Sequence, residues 1–301
     1  MRGRISFAFV LVASLAALAA TTWAQDLGPQ FKKIKDGIYV QSAREFNSNA
    51  GIIVTSEGVV LVDSGHNPTD SRAVMEAVKK LTPLPVRFLI DTEVHGDHTT
   101  GHFVFSPPAV IVNHAGAGAA MRQGFVPDRM PNLIRQSPEM AAAAEGYRLV
   151  PPQIEYRDKL TIHLGGKTIE LLYLKNVHSE ADTAVWLPED RVLFSASVAV
   201  PGQINILRPF VTIPDMRNAM RMLKALNPEV VVPGHGTPGT TKIFDDAERY
   251  YALLLERVGA KVREGKSLDQ IKAEVTMPEY ASYASQDRMP TNIEAAYRAL
   301  Q

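Results

Sequence analysis

The hydrophobic positions change their period several times along the chain, and each change marks an element. Three short β-rich runs, Ile38 to Val40, Ile52 to Thr55 and Val59 to Val62, are broken by Gly51 and by Glu57-Gly58, which is the pattern of meandering antiparallel strands. Asn67 then offers a helix cap with Pro68 at the first helical position. Ala73, Val74, Ala77, Val78 and Leu81 keep helical spacing until Pro83. Phe88-Leu89-Ile90 is a short apolar strand that stops where a histidine-rich run begins.

A second half repeats the theme. Leu160 to Leu164, Thr168 to Leu174, Thr183 to Leu187 and Val192 to Phe194 read as strands, a helix covers Met216 to Leu226, and Val230 to Val232 is a further strand. Two β-rich halves, each followed by helices, predict an α+β protein in which two sheets pack face to face with helices outside. Between the halves, residues 115–152 are rich in Ala, Met and Pro with only weak helical signals, and an insertion of that length more often covers a site than fills a core. Beyond Gly239 a stripe of Ala247, Tyr250, Tyr251, Leu254, Leu255 and Val258 predicts a long helix. Ser267 to Gln270 and Thr291 to Glu294 then fit the capping-box pattern. The expected division is 1–24 as a signal peptide, 25–240 as the main domain and 241–301 as a C-terminal helical extension packed on it.

The signal peptide follows from Arg2 and Arg4, the apolar run Ile5 to Ala20 and the small-residue triplet Thr22-Trp23-Ala24, and it implies a periplasmic or secreted product. A retained anchor is the rival reading, but the run is short for a bilayer span and ends in a cleavage-like triplet, so no stable span is expected after cleavage. Composition narrows the chemistry. With 46% hydrophobic residues the chain can bury a substantial core, and 32 basic side chains balance 32 acidic ones, which leaves no broad basic face for nucleic acid. There is no cysteine, so a disulfide framework, a catalytic thiol and thiolate metal ligands are all excluded.

Glu93, His95, Asp97 and His98 fall within six positions directly after a strand, where one turn can gather all four side chains. Imidazole and carboxylate are the ligands that suit Zn²⁺ when no thiolate exists. His178 and His235 each follow a strand further along. Alone, either is more often a packed or surface histidine; with the first run they make six candidate ligands, which divide into two sets of three.

Glu93-Val-His-Gly-Asp-His98-Thr-Thr-Gly101, His178-Ser-Glu-Ala-Asp182, Val192-Leu-Phe194 and Pro233-Gly-His-Gly236, in that order, resemble the metallo-β-lactamase superfamily over roughly Ile38 to Thr240. The resemblance implies an αββα sandwich and two Zn²⁺ ions, the first held by Glu93, His95 and His178 and the second by Asp97, His98 and His235. It implies hydrolysis by a shared, metal-activated water that Asp97 orients, on a small-molecule substrate with a hydrolysable carbonyl. The class B β-lactamases, and so antibiotic breakdown, are the leading comparison. A lactonase or esterase of the same fold and a non-catalytic envelope metal-binding protein are the alternatives.

Two positions depart from the family pattern. Relatives usually have His where this chain has Glu93. The added negative charge should weaken the electrophilicity of the first metal, and could favour a single ion or another divalent metal there. Thioesterase-like members have an Asp that bridges both metals where this chain has Ser197, so Ser197 is expected beside the metals without bridging them. Asp63 resembles the family's structural Asp that supports the ligand loop. His66 and His102 could line the pocket but are expected rather on the surface or supporting the ligands from behind, His163 in solvent, and Asp182 either near His178 or capping the next strand; the role of His114 is left open. Arg122, Arg129, Arg135 and Arg208 are candidates for a substrate carboxylate.

Overall fold

A computed structural model describes residues 26–42, 46–122 and 125–301, with the side chains of 125–129 not described. The expected signal peptide and the Arg129 side chain lie outside the described residues. The first half runs β1 (Phe31–Lys35), β2 (Ile38–Gln41), β3 (Ala50–Thr55), β4 (Gly58–Val62), α1 (Pro68–Leu81), β5 (Val86–Ile90), α2 (Gly96–Thr99), α3 (His102–Phe105) and β6 (Val110–His114). The insertion holds three short helices, α4 (Ala115–Arg122), α5 (Phe125–Ile134) and α6 (Pro138–Ala143), and returns through β7 (Ile154–Tyr156). The second half is β8 (Lys159–Leu164), β9 (Lys167–Tyr173), β10 (Thr183–Leu187), β11 (Val192–Phe194), α7 (Ile213–Ala225) and β12 (Val230–Val232). It is followed by α8 (Lys242–Arg263), α9 (Leu268–Glu274) and α10 (Met289–Arg298).

Strands β1 to β7 form one sheet in sequence order, and the other runs β12-β11-β10-β9-β8. Alternation along each strand assigns its two faces. Ile53, Val60, Ile90 and Val112 meet Leu171, Val185, Val192 and Phe194 in a single cluster between the sheets. Their neighbours Ile52, Leu61, Leu89 and Ile111 point the other way, onto Val74 and Val78 of α1. On the far side, Leu193 and Val231 pack against Met216 of α7 and Tyr251 of α8. The result is the expected α+β sandwich of four layers. Full burial of each of these aliphatic side chains stabilises by about 1.5–3 kcal/mol. At Gly51 the sheets pack too tightly for a side chain, since a Cβ there would sit 2.4 Å from the Phe194 ring.

Strands β4, β5 and β6 are parallel, as are β11 and β12, so within each set the carboxyl ends share one edge of the sandwich. Asn67 caps α1 as expected, accepting from the Asp70 backbone N–H, and Ser267 and Gln270 form the complete capping box of α9. Thr291 to Glu294 does not form the second box. The helix begins earlier, at Met289, and Asn292 instead turns inward to bridge Leu207 N–H and the Asn205 carbonyl. Strand β1 was not anticipated because Phe-Lys-Lys-Ile-Lys carries lysines on an edge, where charge discourages pairing with other chains. Residues of α8 to α10 share the cluster on the outer face of the second sheet. Among the described residues, no helix is long and apolar enough to cross a membrane.

Candidate metal centre

The candidate ligands arrive on loops that follow strand ends. Strand β5 stops at Ile90; the chain bends through Thr92 to His95, and His95 is the residue before α2, whose first turn carries Asp97 and His98. His178 follows β9, Ser197 follows β11 and His235 follows β12.

Five of the six side chains converge, with Glu93 in the middle. Glu93, His95 and His178 form one group and Glu93, His98 and His235 a second, the ligand atoms of each lying within 4.8 Å of one another. Glu93 Oε2 faces His95 Nδ1 and lies 3.4 Å from His178 Nε2, whereas Oε1 lies 3.2 Å from His98 Nε2. The Ser197 hydroxyl donates to the same Oε1. Asp97 stands at the rim, its Oδ2 3.6 Å from His235 Nε2 and 3.7 Å from His66 Nδ1.

The imidazoles of His98 and His235 are each aimed by a partner behind the ring, and the loop of His178 is held through its backbone. Asp63, in the left-handed region at φ 60°, accepts from Thr92 N–H and from the Thr92 hydroxyl, both at 2.7 Å, and its Oδ2 lies 2.9 Å from His98 Nδ1. Aspartate tolerates that backbone conformation better than most residues. The Ser64 hydroxyl donates to the His98 carbonyl at 2.6 Å. His235 Nδ1 donates to the Phe46 carbonyl at 2.8 Å, and Asn49 Nδ2 fixes the same loop by donating to the Pro233 and Gly236 carbonyls. Gly234 is required between them, because a Cβ there would meet Ser197 Oγ at 2.4 Å. Asp182 accepts the His178 and Ser179 backbone N–H groups, and Arg208 Nη1 donates to the His178 carbonyl at 2.7 Å.

The donor set fits a pair of divalent cations. Burial opposes the ionisation of Glu93, yet the imidazoles of His98, His178 and His95 hold its carboxyl well below the ordinary range, so a charged carboxylate sits fully buried among nitrogen ligands. Burial keeps His178 neutral, the form that ligates, with its Nδ1 buried and lacking a hydrogen-bond partner. His98 is also penalised by burial, but the charges of Glu93, Asp63 and Asp97 prevail and lift it to about 10. His235 is pushed down by burial and by the neighbouring His98. Imidazole and carboxylate without thiolate suit zinc.

His66 lies at the pocket wall, with Nδ1 3.2 Å from Ser48 N. It lines a cleft of about 530 Å³ together with Asn47, Asn67, Gln136, Ser137 and Glu139, so helices of the insertion wall a cleft that adjoins the candidate ligands through His66, while none of the six ligands lines it. His102 does not face the cleft. It is buried between Asp91 Oδ1 at 2.7 Å and the Val150 carbonyl at 2.8 Å, and Asn113 donates to the other oxygen of Asp91. This Asp91-His102-Asn113 network was missed, since its members are scattered and match no spacing rule. His114 stacks on Tyr173 with ring centres 3.7 Å apart, and His163 is exposed on β8. Arg122 and Arg135 are exposed on the insertion, which leaves Arg208 as the candidate arginine that touches a ligand loop.

The chain matches the model of the metallo-beta-lactamase superfamily over residues 43–235. It is 25% identical over 224 residues to a linear primary-alkylsulfatase of Pseudomonas sp., covering 62% of this chain and 41% of that protein. It is 24% identical over 215 residues to a metallo-beta-lactamase type 2 of Bacteroides fragilis, covering 69% and 77%. A stereoselective inverting sec-alkylsulfatase from Pseudomonas sp. superposes with a TM-score of 0.67 at 18% identity, over 89% of this chain and 50% of that one. The chain thus spans half or less of the length of these alkylsulfatases.

Proposed function

Because the chain belongs to the metallo-beta-lactamase superfamily, we propose that it is an exported, zinc-dependent hydrolase of small molecules, with β-lactams as the leading substrate class and lactones or other esters as the alternative. Export rests on the pattern of residues 1–24. The observation that carries the hydrolase reading is the convergence of two nitrogen-rich groups on one buried carboxylate beside an open polar cleft.

Glu93, His95 and His178 would hold one zinc; His98 and His235, with Asp97 at the rim, would hold the other. Bound zinc lowers the pKa of water toward neutrality and polarises a carbonyl oxygen. Asp97, beside His235 and His66, would orient the attacking water and take up its proton. Asp63 and the Phe46 carbonyl hold His98 and His235 in the tautomer that presents Nε2. Leu133 and Met140 give the polar cleft an apolar side against which a substrate ring can lie.

A second reading, sulfate ester hydrolysis, is favoured by the alkylsulfatase relative and by the 89% of this chain that the sec-alkylsulfatase structure matches, C-terminal helices included. Metal analysis of the purified protein, followed by hydrolysis assays on β-lactams, lactones, carboxylic esters and alkyl sulfates, separates these readings. Turnover of the β-lactams supports the leading one, and turnover of alkyl sulfates alone replaces it. Two bound zincs with no turnover on any panel would make the chain an envelope metal-binding protein instead.

A further inference from the structure

We propose that Glu93 is a ligand to both cations at once, one carboxylate oxygen to each, and so supplies the bridge that Ser197 is too short and uncharged to make. The inference rests on the two-metal reading above and changes what that reading assigns to Glu93, which the resemblance places at the first metal alone.

The argument is geometric. The two oxygens of Glu93 look into different groups, Oε2 toward His95 and His178 and Oε1 toward His98. Glu93 is common to both clusters of converging ligand atoms, and Asp97 belongs to neither. Were Glu93 to serve one metal only, Oε1 would be left buried against His98 Nε2 at 3.2 Å, in the position where the second cation's ligands gather.

The surroundings fix this orientation. Ser197 donates to Oε1, which sets the rotation of the carboxylate about its last bond. Ser197 is itself immobilised, its carbonyl accepting from Asn205 Nδ2 at 2.6 Å and its side chain lying against Gly234. A glutamate reaching in from the loop after β5 therefore occupies the space between the two imidazole pairs, and the short side chain after β11 buttresses it. A carboxylate thus stands at position 93 and a hydroxyl at 197, so the centre keeps one shared negative charge while its origin moves to the opposite loop. The consequence is that the two sites are not independent, and removing Glu93 must weaken both.

Zinc affinity, measured by competition with a chromophoric chelator and checked by elemental analysis, tests this in Glu93→Gln and in the double variant His95→Ala/His178→Ala. The double variant loses the first site but keeps Glu93, and should hold one zinc at His98 and His235. Glu93→Gln should hold that zinc at least tenfold more weakly than the double variant does. Equal affinity in the two variants would overturn the bridge. Since a buried substitution can impair folding, a crystal structure of the zinc-loaded wild-type protein gives the same answer without one. It should place one Glu93 oxygen about 2.0–2.2 Å from each zinc; both oxygens on one zinc overturn the proposal. A wild-type protein that takes up fewer than two zincs overturns the two-metal reading and the bridge with it, whereas two zincs with Glu93 confined to one leave that reading standing.

Discussion

Nε2 of His98 and Nε2 of His235 stand 3.2 Å apart, and the other nitrogen of each ring is already committed, to Asp63 and to the Phe46 carbonyl. A carboxylate and a carbonyl can only accept, so both Nδ1 atoms carry hydrogen and the two Nε2 lone pairs face each other. A proton on His98 Nε2 faces both His235 Nε2 and Glu93 Oε1, each 3.2 Å away, unless a cation replaces it. The proton is available because three carboxylates lift His98 to about 10, and a cation that displaces it meets a ring already aimed.

His235→Ala removes one of these facing nitrogens. Bound zinc should fall from two equivalents to one, and hydrolysis should drop by at least a hundredfold. The fold should survive, since His235 is at the edge of the core and its hydrogen bond to Phe46 contributes only about 1 kcal/mol. Elemental analysis and circular dichroism decide it: two zincs in the variant would refute the ligand assignment.

Asp63→Asn keeps a side chain that tolerates the positive φ and can still accept from Thr92, but it removes the charge behind His98. Zinc affinity at the His98 site should fall about 10–100-fold, the usual effect of altering the partner that orients a ligating imidazole. The metal-free protein should unfold at a lower denaturant midpoint than the wild type, because the Asp63 charge is one of those that stabilise the protonated His98 ring. A variant with unchanged zinc affinity would show that the orientation of His98 is set elsewhere, for instance by Ser64.

Chelation should cost stability as well as activity. The native centre buries an ionised carboxylate among imidazoles, so zinc binds the folded chain and not the unfolded one. At a free concentration one hundred times its Kd, zinc should add about 2.7 kcal/mol per site. Thermal unfolding with and without a chelator measures this, and a melting temperature indifferent to zinc would argue against binding at this centre.

Much of this was legible in the chain because the signals are local. The β-rich runs between Ile52 and Val62 and between Thr183 and Phe194 located strands that the structure contains, and Asn67-Pro68 located a helix start. The six ligand candidates were legible because their spacing ties them to strand ends. Other features depend on contacts that no window contains. The lysine-rich β1 is a strand only because β2 pairs with it, and Asn292 is buried because residues 205–207 present backbone groups to it. The central position of Glu93 between both groups likewise arises from three loops meeting, and no spacing within residues 93–98 encodes it.

The buried pair Asp91 and His102 gives a pH dependence that is separate from the metals. Burial disfavours charge on His102, but the Asp91 carboxylate and the Val150 carbonyl outweigh it and raise its pKa above 6.5. A folded-state value above the unfolded one means that this group's contribution is fully present below pH 6.5 and is lost as pH rises through the folded value. It amounts to about 1.4 kcal/mol for each unit of the shift. Asp91 acts in the same sense, because burial raises its carboxyl above 3.8 and an acid that keeps its proton longer when folded also loses stability as pH rises. In Asp91→Asn/His102→Gln neither position titrates, and the amides can still hydrogen-bond to each other. With a chelator present throughout, the stability advantage of the wild type over this variant should be greater at pH 6 than at pH 9 and should shrink steadily between them in urea titrations. A gap that widens with pH would mean that His102 is neutral in the folded protein and that the network is held by hydrogen bonds alone.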